Sequence, residues 1–327
     1  MQEPLEPNQI LKDRYIIRQI IGRGGMGSIY LAEDNRLPGR LCAIKEVQQD
    51  INLSDELRNQ GREQFYREAS VLARLDHPNL PKVSNFFSEG ESDYLVMDFV
   101  PGEDLKTMMD KSRREGQSLR QSDILAWANQ LADALEYLHS QPSPVIHRDI
   151  KPSNLKITPS GLVKLVDFGL VKQMAPDEVT VTVIQGRGTA MYTPLEQYGG
   201  DSGHTDARSD IYAFGATLYH LLTNHQPVEA KQRFLQPDAL PSLRELNPQI
   251  DPSVESAVLW AMSLHPDNRP QSIKEFRDAL VSALPITRPT PHDPSSLFQS
   301  FQRSTMDRFI AVTALVLLLI SVIATFN

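Results

Sequence analysis

Six residues, Gly22-Arg23-Gly24-Gly25-Met26-Gly27, most restrict what this chain can fold into. Their spacing, GxGxxG, lets a backbone approach a phosphate closely and turn its N–H groups toward it, because no Cβ stands in the way. The element on the far side of the glycines decides the architecture. A dinucleotide-binding Rossmann unit needs a helix there. Here Ser28-Ile29-Tyr30-Leu31 has strand character, so the loop joins two strands and the Rossmann reading loses. For the loop taken alone, a flexible hairpin is the plain alternative.

Short β-rich runs surround that loop. Tyr15–Ile21, Ser28–Glu33 and Leu41–Val47 read as strands, separated by the glycines and by Asn35–Gly39. Ser54–Leu75 reads as a helix with Phe65, Ala69, Leu72 and Ala73 on one face, its early part weakened by Gly61. Val83–Ser88 and Tyr94–Phe99 read as two more strands. Beyond Val100-Pro101-Gly102 the pattern turns helical: Ile124, Trp127, Leu131, Leu135 and Leu138 recur at helical spacing. Val163–Val166 is a strand, and Ile211–Leu222, Val254–Leu264 and Ile273–Leu284 are helices. The expected class is α+β, a small β-rich lobe hinged to a larger α-rich lobe.

Lys45 lies inside the apolar run Cys42-Ala43-Ile44 and needs a counter-charge if buried. Glu68, on the next helix, can supply it. Lys45 would then be held to contact nucleotide phosphates; the plain alternative is an exposed strand face. His147-Arg148-Asp149-Ile150-Lys151-Pro152-Ser153-Asn154 is more specific, packing a base, a cation and a ligand amide into one short loop. Asp167-Phe168-Gly169 then closes a strand and adds a second carboxylate. Asn154 with Asp167 is a hard-oxygen pair suited to Mg²⁺ on phosphates.

Composition removes other classes. With 40% hydrophobic residues the 327-residue chain can build a core, so whole-chain disorder is excluded. A net charge of −8 argues against general nucleic-acid binding. The single cysteine, Cys42, excludes a disulfide framework and a Cys-rich zinc site. Met1–Asn8 is polar, so no signal peptide is expected. Phe309–Phe326 carries no charge, and as a helix it spans roughly 27 Å, close to a hydrocarbon core. Arg303 and Arg308 precede it and only Asn327 comes after, so the body is expected on the cytoplasmic side of a membrane. A buried core helix is the alternative, but such helices rarely lack a polar face. Pro285–Thr305, rich in Pro, Ser, Thr and Gln, reads as a tether.

The ordered set of glycine loop, Ala43-Ile44-Lys45, His147-Arg148-Asp149 with Asn154, and Asp167-Phe168-Gly169 resembles the protein kinase superfamily, specifically the eukaryotic-like serine/threonine kinases of bacteria. The resemblance covers about Tyr15–Leu284, with Lys151 as the serine/threonine-type signature. Ser209-Asp210 with Gly215, and Asp267-Asn268-Arg269-Pro270, match further landmarks. It implies a kinase domain at 15–284 (lobes 15–98 and 99–284); with the composition readings, this leaves an N-terminal extension at 1–14, a linker at 285–308 and a transmembrane helix at 309–326.

By position, the resemblance implies that Asp149 orients the substrate hydroxyl and accepts its proton, and that Lys151 steadies the transferring phosphoryl group. Asn154 and Asp167 would hold magnesium, or manganese in its place, and Lys45 would bind phosphates while paired with Glu68. Ile21, Gly22, Arg23, Gly24, Gly25, Met26, Gly27, Ser28, Ile29 and Ala43 would line the ATP site. Met97 would be the gatekeeper, and Asp98 and Val100 would offer main-chain hydrogen bonds to adenine. Partners implied are ATP, proteins bearing Ser or Thr, a membrane through the terminal helix, and a second copy of the chain for autophosphorylation in trans; nucleic acid is not among them. The rival is a membrane-tethered pseudokinase scaffold, which the intact Lys45, Glu68, Asp149, Asn154 and Asp167 disfavour. A small-molecule kinase on the same fold fits Lys151 and Gly188-Thr189 less well.

Three positions depart from the family pattern. Pro194-Leu195-Glu196 replaces Ala-Pro-Glu, although Glu196 can still pair with Arg269. Lys156 falls where an apolar residue usually lies beneath adenine; its stem can cover the ring while its ammonium reaches water. Cys42 replaces a valine and reads as packing. Arg148 calls for a neutralising partner, and Thr180 and Thr182 in the loop from Asp167 to Glu196 are the phosphosite candidates.

Overall fold

Alternation builds the first sheet. In the computed structural model, which describes residues 3–24, 27–49, 53–167, 187–198 and 205–281, strand β3 (Gly27–Asp34) buries every second residue, Ser28, Tyr30, Ala32 and Asp34. Its neighbours are β1 (Ile10–Leu11), β2 (Tyr15–Gly24), β4 (Leu41–Gln48), β5 (Val83–Glu89) and β6 (Ser92–Asp98), in the antiparallel order β1-β2-β3-β4-β6-β5. Strand β6 is buried on both faces, which suits its apolar centre Tyr94-Leu95-Val96-Met97.

Helix α1 (Asp55–Arg74) covers one face. Ser54 caps it by accepting from the Leu57 amide, and Asp55 and Glu56 favour the positive end of its dipole. Phe65, Ala69 and Leu72 face inward with Ala43 and Val47, and each large side chain contributes about 1.5–3 kcal/mol. The helix continues through Gly61 because tertiary packing outweighs a propensity cost of about 1 kcal/mol.

The sheet's other face forms a second core around Tyr15, Tyr30, Ile44, Phe87 and Tyr94. Here the sequence reading needs correction, since residues before Tyr15 belong to this lobe. Leu11 is buried, Leu5 packs on the outer core, and β1 pairs with β2. Two isolated leucines in a polar stretch carry no periodicity, yet the open face gives them somewhere to go.

The second lobe begins after Val100-Pro101-Gly102, where the hinge was expected. A small sheet joins β7 (Glu103–Asp104), β8 (Leu155–Ile157) and β9 (Val163–Leu165). Gly102 has φ +104°, and a Cβ there would lie 2.0 Å from the Ile157 carbonyl oxygen. Only glycine lets the linker pass so close to β8. Helices α2 (Leu105–Arg114) and α3 (Gln121–His139) come after β7. Beyond the short α4 (Arg187–Ala190), helix α5 (Ala207–Thr223) runs through the lobe with Ser209–Thr223 all buried. The short α6 (Ala230–Leu235) and α7 (Leu243–Leu246) lead to α8 (Pro252–Ala261) and α9 (Ile273–Val281). Phe214 and Phe276 meet edge to face at 5.1 Å. No helix among the described residues is long and apolar enough to cross a membrane. The expected linker and membrane segment, Gly25 and Met26, Phe168-Gly169, and Thr180 and Thr182 lie outside the described residues.

Candidate active site

The polar loop after α3 hangs on one carboxylate. Asp210, fully buried on α5, accepts from the backbone amides of His147 and Arg148, both at 2.8 Å, and from His139 Nε2 at 2.9 Å. Such charge-assisted bonds are about twice as strong as neutral ones. They hold Arg148 at φ +66°, a region non-glycine residues seldom occupy. Ile150, 0% exposed, nails the next turn into the core, its carbonyl accepting from Thr217 at 3.3 Å.

That hold fixes the backbone on which Asp149 stands. Its Oδ2 accepts from Lys151 Nζ and Asn154 Nδ2, both at 2.9 Å, while Asn154 Nδ2 also donates to the Asp149 carbonyl at 2.8 Å. With its amide protons so used, Asn154 keeps its Oδ1 as an acceptor. Asp149 Oδ1 is buried and makes no hydrogen bond among the described residues. Lys151 Nζ also donates to Thr189 Oγ1 at 3.1 Å. Thr189 therefore reaches this loop through Lys151.

Lys45 enters from the other lobe. It stands opposite Ile29 on β3 and Leu95 on β6, and its ammonium pairs with Asp167 Oδ1. Burial pushes the Asp167 carboxyl up, but the charge and hydrogen bond of Lys45, with Lys151 behind, bring it below its ordinary value. It is ionised at neutral pH. The Val166 amide donates to the Asn154 carbonyl at 2.9 Å, so Asp167 is tied to the loop that carries Asp149. Glu68 on α1 accepts from Gln64 at 2.6 Å. Among the described residues no three His, Cys, Asp or Glu side chains cluster as a metal cage. An Asn154 oxygen with an ionised Asp167 suits a magnesium ion that takes its remaining ligands from phosphate and water.

The glycine loop joins β2 and β3, so Ile21, Gly22, Arg23 and Gly24 lie on one strand and Gly27, Ser28 and Ile29 on the next. Gly27 has φ +146°, and a Cβ there would stand 2.2 Å from the Glu46 carbonyl oxygen. Ala43 and Met97 sit side by side on β4 and β6, both buried. The Asp98 amide donates to the Lys82 carbonyl at 2.9 Å. That leaves the Asp98 carbonyl as the part of this residue able to serve a base. Val100 is buried just beyond.

A protein kinase domain model matches residues 15–299. The chain belongs to the protein kinase family. It is 34% identical over 296 residues to a probable serine/threonine-protein kinase of Streptomyces coelicolor, covering 87% of this chain and 41% of that protein. It is 35% identical over 289 residues to the serine/threonine-protein kinase PknB of Mycobacterium tuberculosis, covering 83% and 43%. The chain thus spans about two fifths of the length of these curated relatives. Among solved structures, the PpkA-294 apo form superposes with a TM-score of 0.67 at 27% identity, covering 85% of this chain and 100% of that one. The M. tuberculosis PknI kinase domain gives 0.65 at 27% identity, covering 84% and 98%.

The departures from the kinase pattern have physical outcomes. Leu195 begins a short 3-10 turn behind Pro194 and packs on the core, and Glu196 still meets the buried Arg269. Cys42 is buried, and burial pushes its thiol up to about 11; it packs. Lys156 has a neighbour that the sequence does not show. Its ammonium lies 5.6 Å from the centre of the Phe99 ring, where burial lowers its pKa and Asp104 partly restores it. The hinge ring attracts a cation that water was expected to receive. Sequence reasoning noted Asp210 only as a landmark, because its partners are backbone amides that leave no residue pattern.

Proposed function

We propose that this kinase transfers the γ-phosphoryl group of ATP to Ser or Thr hydroxyls of proteins. One observation carries the reading. Asp149 keeps Oδ1 without a partner while Lys151 and Asn154 hold Oδ2. A buried carboxylate oxygen left open is a costly feature unless a donor arrives, and a substrate hydroxyl is such a donor. Asp149 accepts its proton as the oxygen attacks phosphorus in line. Lys151 stays beside Asp149, positioned to steady charge on the moving phosphoryl group. Lys45, held on β4 beside Asp167, binds the nucleotide phosphates and pairs with Glu68 in the working state. Asn154 and Asp167 hold magnesium, which neutralises phosphate charge when bound.

The same reading assigns Gly22–Ile29, Ala43, Met97, the Asp98 carbonyl, Val100 and the Lys156 stem to the nucleotide. It assigns Thr180 and Thr182 to activation by phosphate, with a second copy of the chain acting in trans. It makes 15–284, with the segment from Leu5 that packs on its first lobe, the kinase domain, 285–308 a tether, and 309–326 a membrane anchor that leaves the kinase cytoplasmic. The deciding experiment is transfer of labelled phosphate from Mg-ATP to a generic basic protein. The wild-type chain should label Ser or Thr. Asp149→Asn should bind ATP almost normally and transfer none. Wild-type labelling by the Asp149→Asn protein would remove Asp149 from its role, and an inert but nucleotide-binding wild type would favour a pseudokinase.

A further inference from the structure

Strand β4 carries Lys45 and Glu46 side by side, and alternation sends them to opposite faces. Ala43 and Val47 join the core shared with α1, while Cys42 and Ile44 join the outer core. Glu46 goes with the second pair and is 3% exposed. A carboxylate so deep costs several kcal/mol unless hydrogen bonds replace its water. No basic side chain pairs with it among the described residues. Hydroxyls take that place: Tyr30 donates to Oε2 at 2.9 Å, and Ser92 and Tyr94 donate to Oε1 at 2.9 and 3.4 Å. Tyr30 comes from β3, and Ser92 and Tyr94 from β6, so one carboxylate ties together the strands on both sides of Lys45.

The network runs on in two directions. Outward, the Tyr30 hydroxyl, its proton given to Glu46, accepts from the Leu5 amide at 3.1 Å. The segment from Leu5 to Lys12 lies along β2, with the Asn8 amide donating to Ile17 at 2.7 Å and the Lys12 amide to Glu89 at 2.9 Å. Inward, the Glu46 carbonyl is the wall against which Gly27 rests, in a conformation open only to glycine. The side chain of Glu46 fastens that wall.

We propose that Glu46 is a positioning residue for the nucleotide site. It fixes β4 between Gly27 and Lys45, and the N-terminal segment 5–12 holds it through Tyr30. The inference rests on the reading that the glycine loop and Lys45 meet the phosphates; Glu46 itself touches no reacting atom.

Three changes in the full chain test it. Glu46→Gln keeps the size but swaps one acceptor for a donor, so either Tyr30 or the Ser92–Tyr94 side loses its acceptor. Tyr30→Phe removes the shared hydroxyl. Deleting residues 1–8 removes the Leu5 amide. Each should weaken Mg-ATP binding, measured by calorimetry, by up to about tenfold, or 1.4 kcal/mol. The KM for ATP should rise while kcat stays within about twofold. Amide hydrogen exchange at residues 22–29 and 44–47, monitored without nucleotide, should quicken. The Glu46→Gln, Tyr30→Phe double variant should cost little more than the worse single one. Variants that melt earlier yet keep wild-type ATP affinity and wild-type exchange in those strands would overturn the proposal, leaving Glu46 a purely structural residue. A wild-type chain that binds no Mg-ATP would overturn the functional reading instead, and the exchange measurement would still decide whether Glu46 fixes these strands.

Discussion

Arg269 holds Glu196 with two parallel hydrogen bonds, 2.6 Å to Oε1 and 3.0 Å to Oε2. Its other donors reach the carbonyls of Ser263, Arg208 and Leu264 at 2.8, 3.0 and 2.9 Å. The guanidinium is fully used and fully buried, so Arg269→Met strands a buried carboxylate. The expected loss is about 3–5 kcal/mol of stability, read by denaturant unfolding. Burial pushes Glu196 up, but Arg269 brings it below the ordinary value. A depressed carboxylate stabilises above its unfolded pKa and loses that contribution as pH falls through the folded one. The gap between wild type and variant should therefore close on the acid side, below about pH 4.

The Lys156 ammonium lies by the Phe99 ring, where partial burial lowers its pKa. Lys156→Leu removes that desolvated charge and keeps an apolar floor. Mg-ATP affinity should hold or tighten in a nucleotide titration. A loss above about tenfold would mean the ammonium contacts the nucleotide directly.

His220 is a buried acid sensor for the fold. Burial, then Lys106, pushes it down to about 4, while Asp110 opposes. Neutral His220 Nδ1 accepts from the Tyr192 hydroxyl at 2.5 Å. Between about pH 6.5 and 4 the unfolded chain binds a proton the native one refuses, so stability falls with pH by on the order of 3 kcal/mol at most. His220→Gln should flatten that part of the stability profile.

Arg148 Nε is buried and makes no hydrogen bond among the described residues. Phosphate on Thr180 or Thr182 would supply two or three charge-assisted bonds to Arg148 and its surroundings. Phosphopeptide mapping of active protein should find it there. Undiminished transfer to an external substrate by the Thr180→Ala, Thr182→Ala double variant would remove this role.

Membrane attachment should depend on Phe309–Phe326 alone. The full chain should sediment with membranes and resist carbonate, and a chain ending near Leu284 should be soluble and still transfer phosphate. Full chain in the soluble fraction would exclude the anchor.

What was legible was what repeats or clusters. The β-rich run after the glycines gave β3, the spacing of Phe65, Ala69 and Leu72 gave α1, and the run from His147 to Asn154 marked a site whose members do converge. Partners distant in sequence and made through backbone were not legible. Asp210 acts on two amides, Gly102 on a carbonyl of β8, and β7 is two residues long. The Lys156–Phe99 contact needs the hinge to fold over β8 before it exists. Glu46 looks like any charged strand residue until its burial is known.

Asp210 holds the loop before Asp149 by its main chain, with His139 as its side-chain partner, and this separates two kinds of evolutionary change. The geometry of Asp149 is guarded by peptide N–H groups that every substitution short of proline retains. Position 148, one residue away, is thus free to gain or lose a response to the activation loop without dismantling the catalytic centre, provided its occupant tolerates the left-handed backbone there. On the proposed reading, control and chemistry would sit on adjacent residues and yet drift independently.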